Sequence, residues 1–328
     1  MKKTYHLCLS SDNEVLFRCK EDFIRAINCL CLVARRMGVS LMAYAFMSNH
    51  VHLCVRTESP EDFIRTFWFA YTRYFNAKYG RKGHLGEPGF FKLEIEGLYH
   101  LLTAIAYILR NPMHHGVTGT PFGYPYSSIR ALFRKDFGWE GDAECLPAKQ
   151  AYHHLPNHWV LPKEFKMNRD GMILPQSVID VADVEHQFST ARAFLYYMNR
   201  LSDDKWEKEQ SQDGLALPPL KLDDIEQGVK YQDIRTMLMN EHGRANYNAI
   251  TDLQLCHEID NTLLPSLRDV GSLSDVGQYR EMRSTEQMSV YHLSREERIR
   301  LGQYLSRKYH AHPAQINRCL ALSSENVV

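Results

Sequence analysis

The chain has 328 residues, of which 44% are hydrophobic and 24% charged, and its 39 basic residues equal its 39 acidic residues in number. This composition is that of a folded globular protein, and the length predicts about two domains. No hydrophobic run approaches the ~20 residues that cross a bilayer, and the first residues lack the apolar core of a signal peptide. We therefore expect a cytoplasmic protein without a membrane partner, whose eight scattered cysteines are reduced and mostly buried.

The charge is unevenly distributed. Residues 1–137 contain 18 Lys and Arg against 11 Asp and Glu, whereas the remainder contains 21 against 28. A positive first part favours a polyanionic partner, although a solvated surface can carry the same excess without one.

Residues 1–137 read as alternating strands and helices. The predicted strands are 4–10, 40–47, 50–57 and 89–97, and the predicted helices run from Glu21 to Gly38, from Ser59 to Gly80 and from Leu98 until Pro112 stops the last one. Apolar residues recur at steps of four and three in the helices, and Ser59 is a good N-cap. This order predicts an α+β fold, an antiparallel sheet with helices on one face.

The composition and the periodicity of the sequence change after residue 137. Residues 138–174 are rich in proline and aromatic residues and are predicted to be a connector. Residues 175–328 are predicted to be mostly helical, with a break near 213–224. Ser294 and Glu297 have capping-box spacing, which predicts a helix that is followed, after a short turn, by a second helix. The region 294–322 is therefore either a DNA-binding helix-turn-helix or an ordinary helical hairpin, and the sequence favours neither.

Two histidines lie in the third predicted strand. His50 and His52 are two residues apart, so their side chains face the same side of the sheet. The simpler interpretation is a pair of hydrogen-bonded or exposed histidines. The alternative is a site for one divalent cation, which needs a third ligand from elsewhere in the chain.

The third predicted helix could supply that ligand and a nucleophile. His100, Thr103, Tyr107 and Asn111 share one face of it, opposite its apolar stripe. Tyr107 could attack a phosphodiester while Asn111 binds the metal, provided that a cation or a base lowers the cost of ionising the phenol. The alternative is a tyrosine that packs by its ring, and Tyr71, Tyr74, Tyr79 and Tyr99 are further candidates.

Several short motifs follow one another between residues 4 and 135. They are "NHVH" at 49–52 with Met47 and Ser48 before it, "YTRYFNAKYGRKGHL" at 71–85, "YILRNPMHHG" at 107–116 and "YPYSS" at 124–128. In this order and spacing they resemble the single-tyrosine HUH transposases of the insertion-sequence-200 type, and most closely the REP-associated tyrosine transposase branch.

The resemblance implies a fold, a reaction and a substrate. The fold is a ferredoxin-like sheet with His50 and His52 on a central strand, where they and Asn111 hold Mg²⁺ or Mn²⁺. Tyr107 attacks the scissile phosphate, which gives a 5′-phosphotyrosine intermediate and a free 3′-hydroxyl. The protein is then a transposase-like nickase and strand-transferase that acts on single-stranded or hairpin DNA, and a homodimer is one of the assemblies implied.

Candidate DNA contacts follow from the same substrate. Basic side chains hold the phosphates of a single strand and aromatic rings stack on its bases. The candidates for phosphate contacts are Arg73, Arg81, Lys82, Lys92 and Arg110, and those for stacking are Phe90 and Tyr126. The family has an arginine in the segment that reads Leu85–Phe91 here, and this chain lacks it. Residues 150–328 lie outside the minimal transposase and are interpreted as a second DNA-reading or oligomerisation module.

Two other functions stay open at this point. One is a catalytically inactive DNA-binding regulator derived from a transposase. The other is a metal-dependent hydrolase in which His50, His52 and a carboxylate such as Glu94 activate water.

Overall fold

The computed structural model describes residues 1–139, 145–156, 159–199, 250–265 and 288–322. Its one sheet among these residues is antiparallel and has the strand order β2-β3-β1-β4. The strands are β1 (Lys3–Ser10), β2 (Ser40–Met47), β3 (His50–Thr57) and β4 (Phe91–Ile95), and the first helices are α1 (Lys20–Met37), α2 (Pro60–Tyr79) and α3 (Gly97–His114). The order β-α-β-β-α-β with these pairings confirms the ferredoxin-like α+β fold.

The helices cover both faces of the sheet. Phe46 of β2 contacts Phe17, in the loop before α1, and Phe67 of α2. This loop and α2 therefore lie on the face of the sheet to which the Phe46 side chain points. The histidines of β3 point to the opposite face, where α3 packs against β2 and β3. The expectation of helices on one face therefore describes α1 and α2, whereas α3 closes the other face.

The third helix differs from its predicted form at Pro112. This proline lies inside the helix, which continues to His114 instead of stopping. Proline lacks the N–H that would donate to the carbonyl oxygen of Ile108, and only two residues of the helix follow it. The following bonds, from the N–H of His115 to the carbonyl oxygen of Asn111 and from Gly116 to Met113, close the helix.

The segment after α3 adds an edge to the sheet. The N–H of Phe46 donates to the carbonyl oxygen of Tyr126, and that of Ser128 donates to Tyr44. The hydroxyl of Tyr124 donates to the carbonyl oxygen of Phe46. The aromatic motif at 124–128 thus fixes the outer side of β2. Further on lie the helices α4 (Ala148–Ala151), α5 (Val181–Phe188) and α6 (Ala191–Met198).

The C-terminal residues form a second hydrophobic cluster. Its helices are α7 (Asp252–Glu258), which continues as a π-helical turn (Ile259–Leu263), α8 (Arg295–Tyr309) and α9 (Pro313–Cys319). This agrees with the mostly helical region that the sequence predicts, while the predicted break at 213–224 lies outside the described residues. None of the helices that the structure describes is both long and apolar enough to cross a membrane.

The cysteines agree with the sequence-based expectation except at one position. All eight lie in the described part of the chain, where none forms a disulfide. Cys145 is exposed, Cys19 is half-buried and the others are buried.

Candidate metal and nucleophile site

The paired histidines lie at the start of β3, in the middle of the sheet. His50 is opposite Met47 and Ser10, and His52 is opposite Ala45 and Cys8. Both side chains are fully buried, and this burial holds the pKa of each imidazole well below its usual value. They are therefore neutral at physiological pH, which is the form of histidine that binds metal ions.

His50 faces two amide oxygens. Its Nε2 lies 2.8 Å from Oδ1 of Asn111 on α3, and its Nδ1 lies 3.0 Å from Oδ1 of Asn49. The Asn49 amide is fixed because its Nδ2 donates to the carbonyl oxygen of Ser11. A neutral imidazole has one N–H, so one of these two contacts opposes two lone pairs. A cation at Nε2 removes the repulsion, and so does a half-turn of the Asn111 amide.

His52 has a partner that sequence reasoning missed. Its Nδ1 lies 2.9 Å from Nε2 of His6 on β1, and the two rings stack at 5.1 Å. The Nε2 atom of His52 is buried and has no hydrogen-bond partner among the described residues. Burial also lowers the pKa of His6, to about 3. His6 thus orients His52 and leaves its second nitrogen for another ligand, in the way that outer partners orient metal-binding histidines.

Tyr107 lies against these histidines. Its ring is 5.3 Å from that of His52 and 6.0 Å from that of His6, both edge-to-face. The side chain is only 4% exposed. Thr103, Tyr107 and Asn111 share the face predicted for them, but this polar face is turned into the protein and packs on the histidine face of the sheet. The tyrosine is buried, as the ring-packing interpretation expects, and its ring packs on those of His52 and His6.

The end of α3 adds two more imidazoles. The His115 ring lies 5.1 Å from that of His50, and the His114 ring lies 6.5 Å from that of Tyr107. Neither residue was predicted for the site. The signal that could have found them is their place, shortly after the Asn111-Pro112 pair and about two helical turns beyond Tyr107.

A divalent cation fits the donor set at His50, His52 and Asn111. Two neutral imidazoles and an amide oxygen are accepted ligands of such ions. Adjacent ligands of an octahedral ion with bonds of about 2.1 Å lie about 3.0 Å apart, and His50 Nε2 and Asn111 Oδ1 are separated by 2.8 Å. In the described ranges no three His, Cys, Asp or Glu side chains form a group that could hold a metal ion.

Glu94 does not reach this site. It is paired with Tyr5 across the β1–β4 ladder, whereas the neighbouring pair is Leu93 with His6. Since successive residues of a strand face opposite sides, Glu94 lies on the face away from His6. Its carboxylate forms an ion pair with Lys3 at 2.7 Å. The arrangement of a hydrolase with two histidines and this carboxylate is therefore not present.

The predicted DNA-contact residues are spread over the domain. Arg73 is exposed beside Phe69, Lys82 is exposed, and Arg110 directly precedes Asn111. Arg81 is tied to Glu14, and Lys92 to Glu61. The two candidates for stacking also differ: Tyr126 is buried and stacks on Phe23 at 4.0 Å, while Phe90 lines a groove.

That groove runs along α2 and has a volume of about 480 Å³. It lies on the outer side of the helix and on the loop before β4. Its lining includes Ile64, Arg65, Trp68, Phe69, Arg73 and Phe90. Aromatic rings and arginines thus alternate along one surface.

A ferredoxin-like sheet with a central histidine pair and a helix-borne tyrosine beside it is the arrangement implied by the HUH resemblance. Residues 2–111 match the family model described as "Transposase IS200 like", which confirms this resemblance for the N-terminal domain and supports a transposase-type function. One similar solved structure is described as "Structure of the REP associates tyrosine transposase bound to a REP hairpin". Its identity to this chain is 16% and its TM-score 0.35, over 43% of this chain and 88% of that chain. No curated protein matches the chain.

Proposed function

We propose that the protein nicks single-stranded, hairpin-associated DNA and transfers the strand through a 5′-phosphotyrosine intermediate. The observation that carries the proposal is the packing of α3 on the sheet. It brings Tyr107 and Asn111 onto the face that presents His50 and His52. The match of residues 2–111 to the IS200-like transposases supports the reaction class.

His50, His52 and Asn111 would hold the metal ion, Mg²⁺ or Mn²⁺. When bound there, the ion polarises a non-bridging oxygen of the scissile phosphate and offsets the charge that develops on phosphorus. His6 contributes by holding the ring of His52 through Nδ1. Asn49 does the same for His50.

Tyr107 is the proposed nucleophile. Its hydroxyl oxygen forms a bond to phosphorus, and the bond between phosphorus and the 3′-oxygen breaks. The phenol proton must pass to a base, and His114, whose ring lies 6.5 Å from that of Tyr107 and which is not one of the proposed metal ligands, is the candidate. The 3′-oxygen leaves as a hydroxyl after taking up a proton, so that strand transfer can later reverse the step at a different 3′-end.

DNA reaches this tyrosine only after the chain that covers it moves, because the side chain is 4% exposed. We assign a further stretch of the strand to the groove along α2, which lies on the sheet face opposite the histidines and in which Phe69 and Phe90 offer rings for stacking. Arg73, Lys82 and Arg110 are the proposed phosphate contacts. Arg81 and Lys92 already form ion pairs with Glu14 and Glu61, so they are less available to bind phosphates.

The test is a covalent adduct. Single-stranded hairpin DNA from the ends of the protein's own genomic locus is labelled at its 3′-end, incubated with protein and Mn²⁺, and run on a denaturing gel. We expect a labelled protein band that disappears in Tyr107→Phe and in His50→Ala and persists in Tyr99→Phe, which removes a hydroxyl from the same helix. A band that survives Tyr107→Phe assigns the attack to another residue.

A second candidate function is favoured by the burial of Tyr107. A DNA-binding regulator needs the groove and no accessible nucleophile. It predicts tight binding of the hairpin that is independent of metal, with no adduct from the wild-type protein.

A further inference from the structure

The strand that carries the histidines begins at a turn that contacts the C-terminal helices. Ser48 in this turn donates its hydroxyl to Oδ2 of Asp252 at 2.6 Å, at the start of α7. The carbonyl oxygen of Ser48 accepts from the backbone N–H groups of Leu16 and Phe17. One residue separates Ser48 from His50, so the position of this turn sets where the first histidine lies.

Asp252 is itself fixed by Arg318 on α9. The Nε and Nη2 atoms of the arginine donate to the two carboxylate oxygens at 2.9 and 3.1 Å, and the guanidinium is fully buried. The carbonyl oxygen of Arg318 accepts from the N–H of Val15, in the loop that flanks the turn. A bidentate pair of this kind holds the carboxylate in one orientation. The acceptor that Ser48 meets is thus placed by helices more than 200 residues away, since the Ser48–Asp252 separation alone is 204.

Asn49 passes this restraint on to the histidine. It exchanges two hydrogen bonds with Ser11, from N–H of Ser11 to its carbonyl oxygen and from its Nδ2 to the carbonyl oxygen of Ser11. Its Oδ1 lies 3.0 Å from Nδ1 of His50. A partner at Nδ1 fixes the tautomer and the ring orientation, so that Nε2 points to Asn111.

We propose that the C-terminal helical unit, residues 250–265 and 288–322, is a positioning element for the histidine site and acts through Arg318, Asp252 and Ser48. The metal-binding part of this inference rests on the proposed function. It also gives α9 a role that differs from that of a recognition helix, which the helix-turn-helix alternative for residues 294–322 would require. Residues 315–319 of α9 are all buried, so these side chains are not available to enter a groove of DNA.

The experiment uses the full chain and two single-hydroxyl variants. Ser48→Ala removes the contact with Asp252. Ser289→Ala is the matched control, because the Ser289 hydroxyl also joins the C-terminal unit to the domain, through the carbonyl oxygen of Tyr79, away from the histidines. The first readout is the NMR spectrum of the histidine ring nitrogens without metal. The second is Mn²⁺ affinity from the EPR signal of the free ion.

We expect Ser48→Ala to shift the ring signals of His50 and to weaken Mn²⁺ binding by about tenfold. This is the lower end of the range of about 10- to 100-fold that is typical when a residue orienting a metal ligand is removed. Ser289→Ala should leave both unchanged, and Ser48→Thr, which keeps the hydroxyl, should restore both. Identical His50 signals in Ser48→Ala and wild type overturn the positioning role. Shifted signals in a protein that binds no Mn²⁺ keep the positioning role and remove the metal site of the proposed function instead.

Discussion

The Nε2 atom of His50 lies 2.8 Å from Oδ1 of Asn111, and this contact joins the central strand to the helix that carries Tyr107. The two residues are 61 positions apart in the chain. Their separation is that of two neighbouring ligands of one small cation. The strand and the helix therefore meet at the proposed metal site. Tyr107, the proposed nucleophile, lies one helical turn before Asn111.

Replacement of the amide tests this contact. Asn111→Ala should weaken Mn²⁺ binding by at least about tenfold, because two histidines alone are a poor site for a hard cation that prefers oxygen ligands. Titration calorimetry with Mn²⁺ measures the change. Asn76→Ala is the control, since that amide donates to the carbonyl oxygen of Gly83 on the surface. Equal affinities of Asn111→Ala and the wild type would show that the metal is held elsewhere or that none is bound.

His6 should affect metal affinity indirectly, by orienting His52, and not as a ligand. His6→Ala removes the partner of His52 Nδ1, so the ring of His52 loses its fixed orientation. We expect a loss of about tenfold in Mn²⁺ affinity, and a smaller loss for His6→Gln, whose amide can still reach the ring nitrogen. His84→Ala, an exposed histidine in the loop before β4, provides the baseline. A hairpin-binding assay run alongside should give unchanged affinities for His6→Ala and His6→Gln.

The sequence predicts the strands and the facing histidines because both follow from local periodicity. The bounds of β2 and β3 are those of the predicted strands, and α1 ends at Gly38, which adopts the left-handed conformation. His6 was missed because its pairing with His52 depends on the register between strands 46 residues apart. No local pattern encodes such a register.

The third helix shows where amphipathicity misleads. Amphipathicity alone turns such a polar face to water, whereas the predicted site turns it toward the histidines, and Thr103, Tyr107 and Asn111 are buried against the sheet. Asn111 meets His50 on the opposing strand, and this contact is visible only in the folded chain. The same reason applies to Arg318, which the sequence places on a possible DNA-binding helix and the structure ties to Asp252.

The histidine cluster predicts sensitivity to acid. Burial lowers the pKa of His6 to about 3 and those of His50 and His52 well below the usual value. An unfolded chain binds these protons near pH 6.5, whereas the folded chain does not, so the stabilisation is complete above about pH 6.5 and is lost as the pH falls toward the folded pKa. Each group contributes a slope of about 1.4 kcal/mol per pH unit in that window.

Urea unfolding at several pH values between 7 and 4 measures this slope. The slope is proportional to the number of protons taken up on unfolding. His6→Phe should lower that number by about one, because it removes one imidazole that is neutral in the folded chain and protonated in the unfolded chain in acid. His84→Ala, which removes an exposed imidazole, is the control variant. Equal slopes for His6→Phe and the wild type would mean that His6 is already protonated in the folded chain.

A buried ion pair joins Arg18 to Asp260 of the C-terminal unit, and breaking it should strongly destabilise the protein. Arg18 donates to both carboxylate oxygens of Asp260 at 2.8 Å, and the arginine is fully buried. Asp260→Asn leaves this charge without its counterion, which should lower the free energy of unfolding by about 3–5 kcal/mol. The double variant Arg18→Met, Asp260→Leu should recover most of the loss, because no charge then stays buried. Urea unfolding at pH 7.5 compares the variants, and no recovery in the double variant contradicts the electrostatic origin.

The groove along α2 makes a prediction about DNA that is independent of the metal. Phe69 is 63% exposed, and the Arg73 guanidinium lies 5.8 Å from the centre of its ring. An exposed ring beside a cation is suited to a stacked base with its phosphate nearby, and loss of such a ring costs about 1–3 kcal/mol of binding. Phe69→Ala should therefore weaken binding of single-stranded DNA by about tenfold or more in fluorescence anisotropy without metal. Tyr152→Ala is the control, because that ring is equally exposed, at 62%, and lies in the segment after the domain. If both variants bind like the wild type, the strand follows another path to Tyr107.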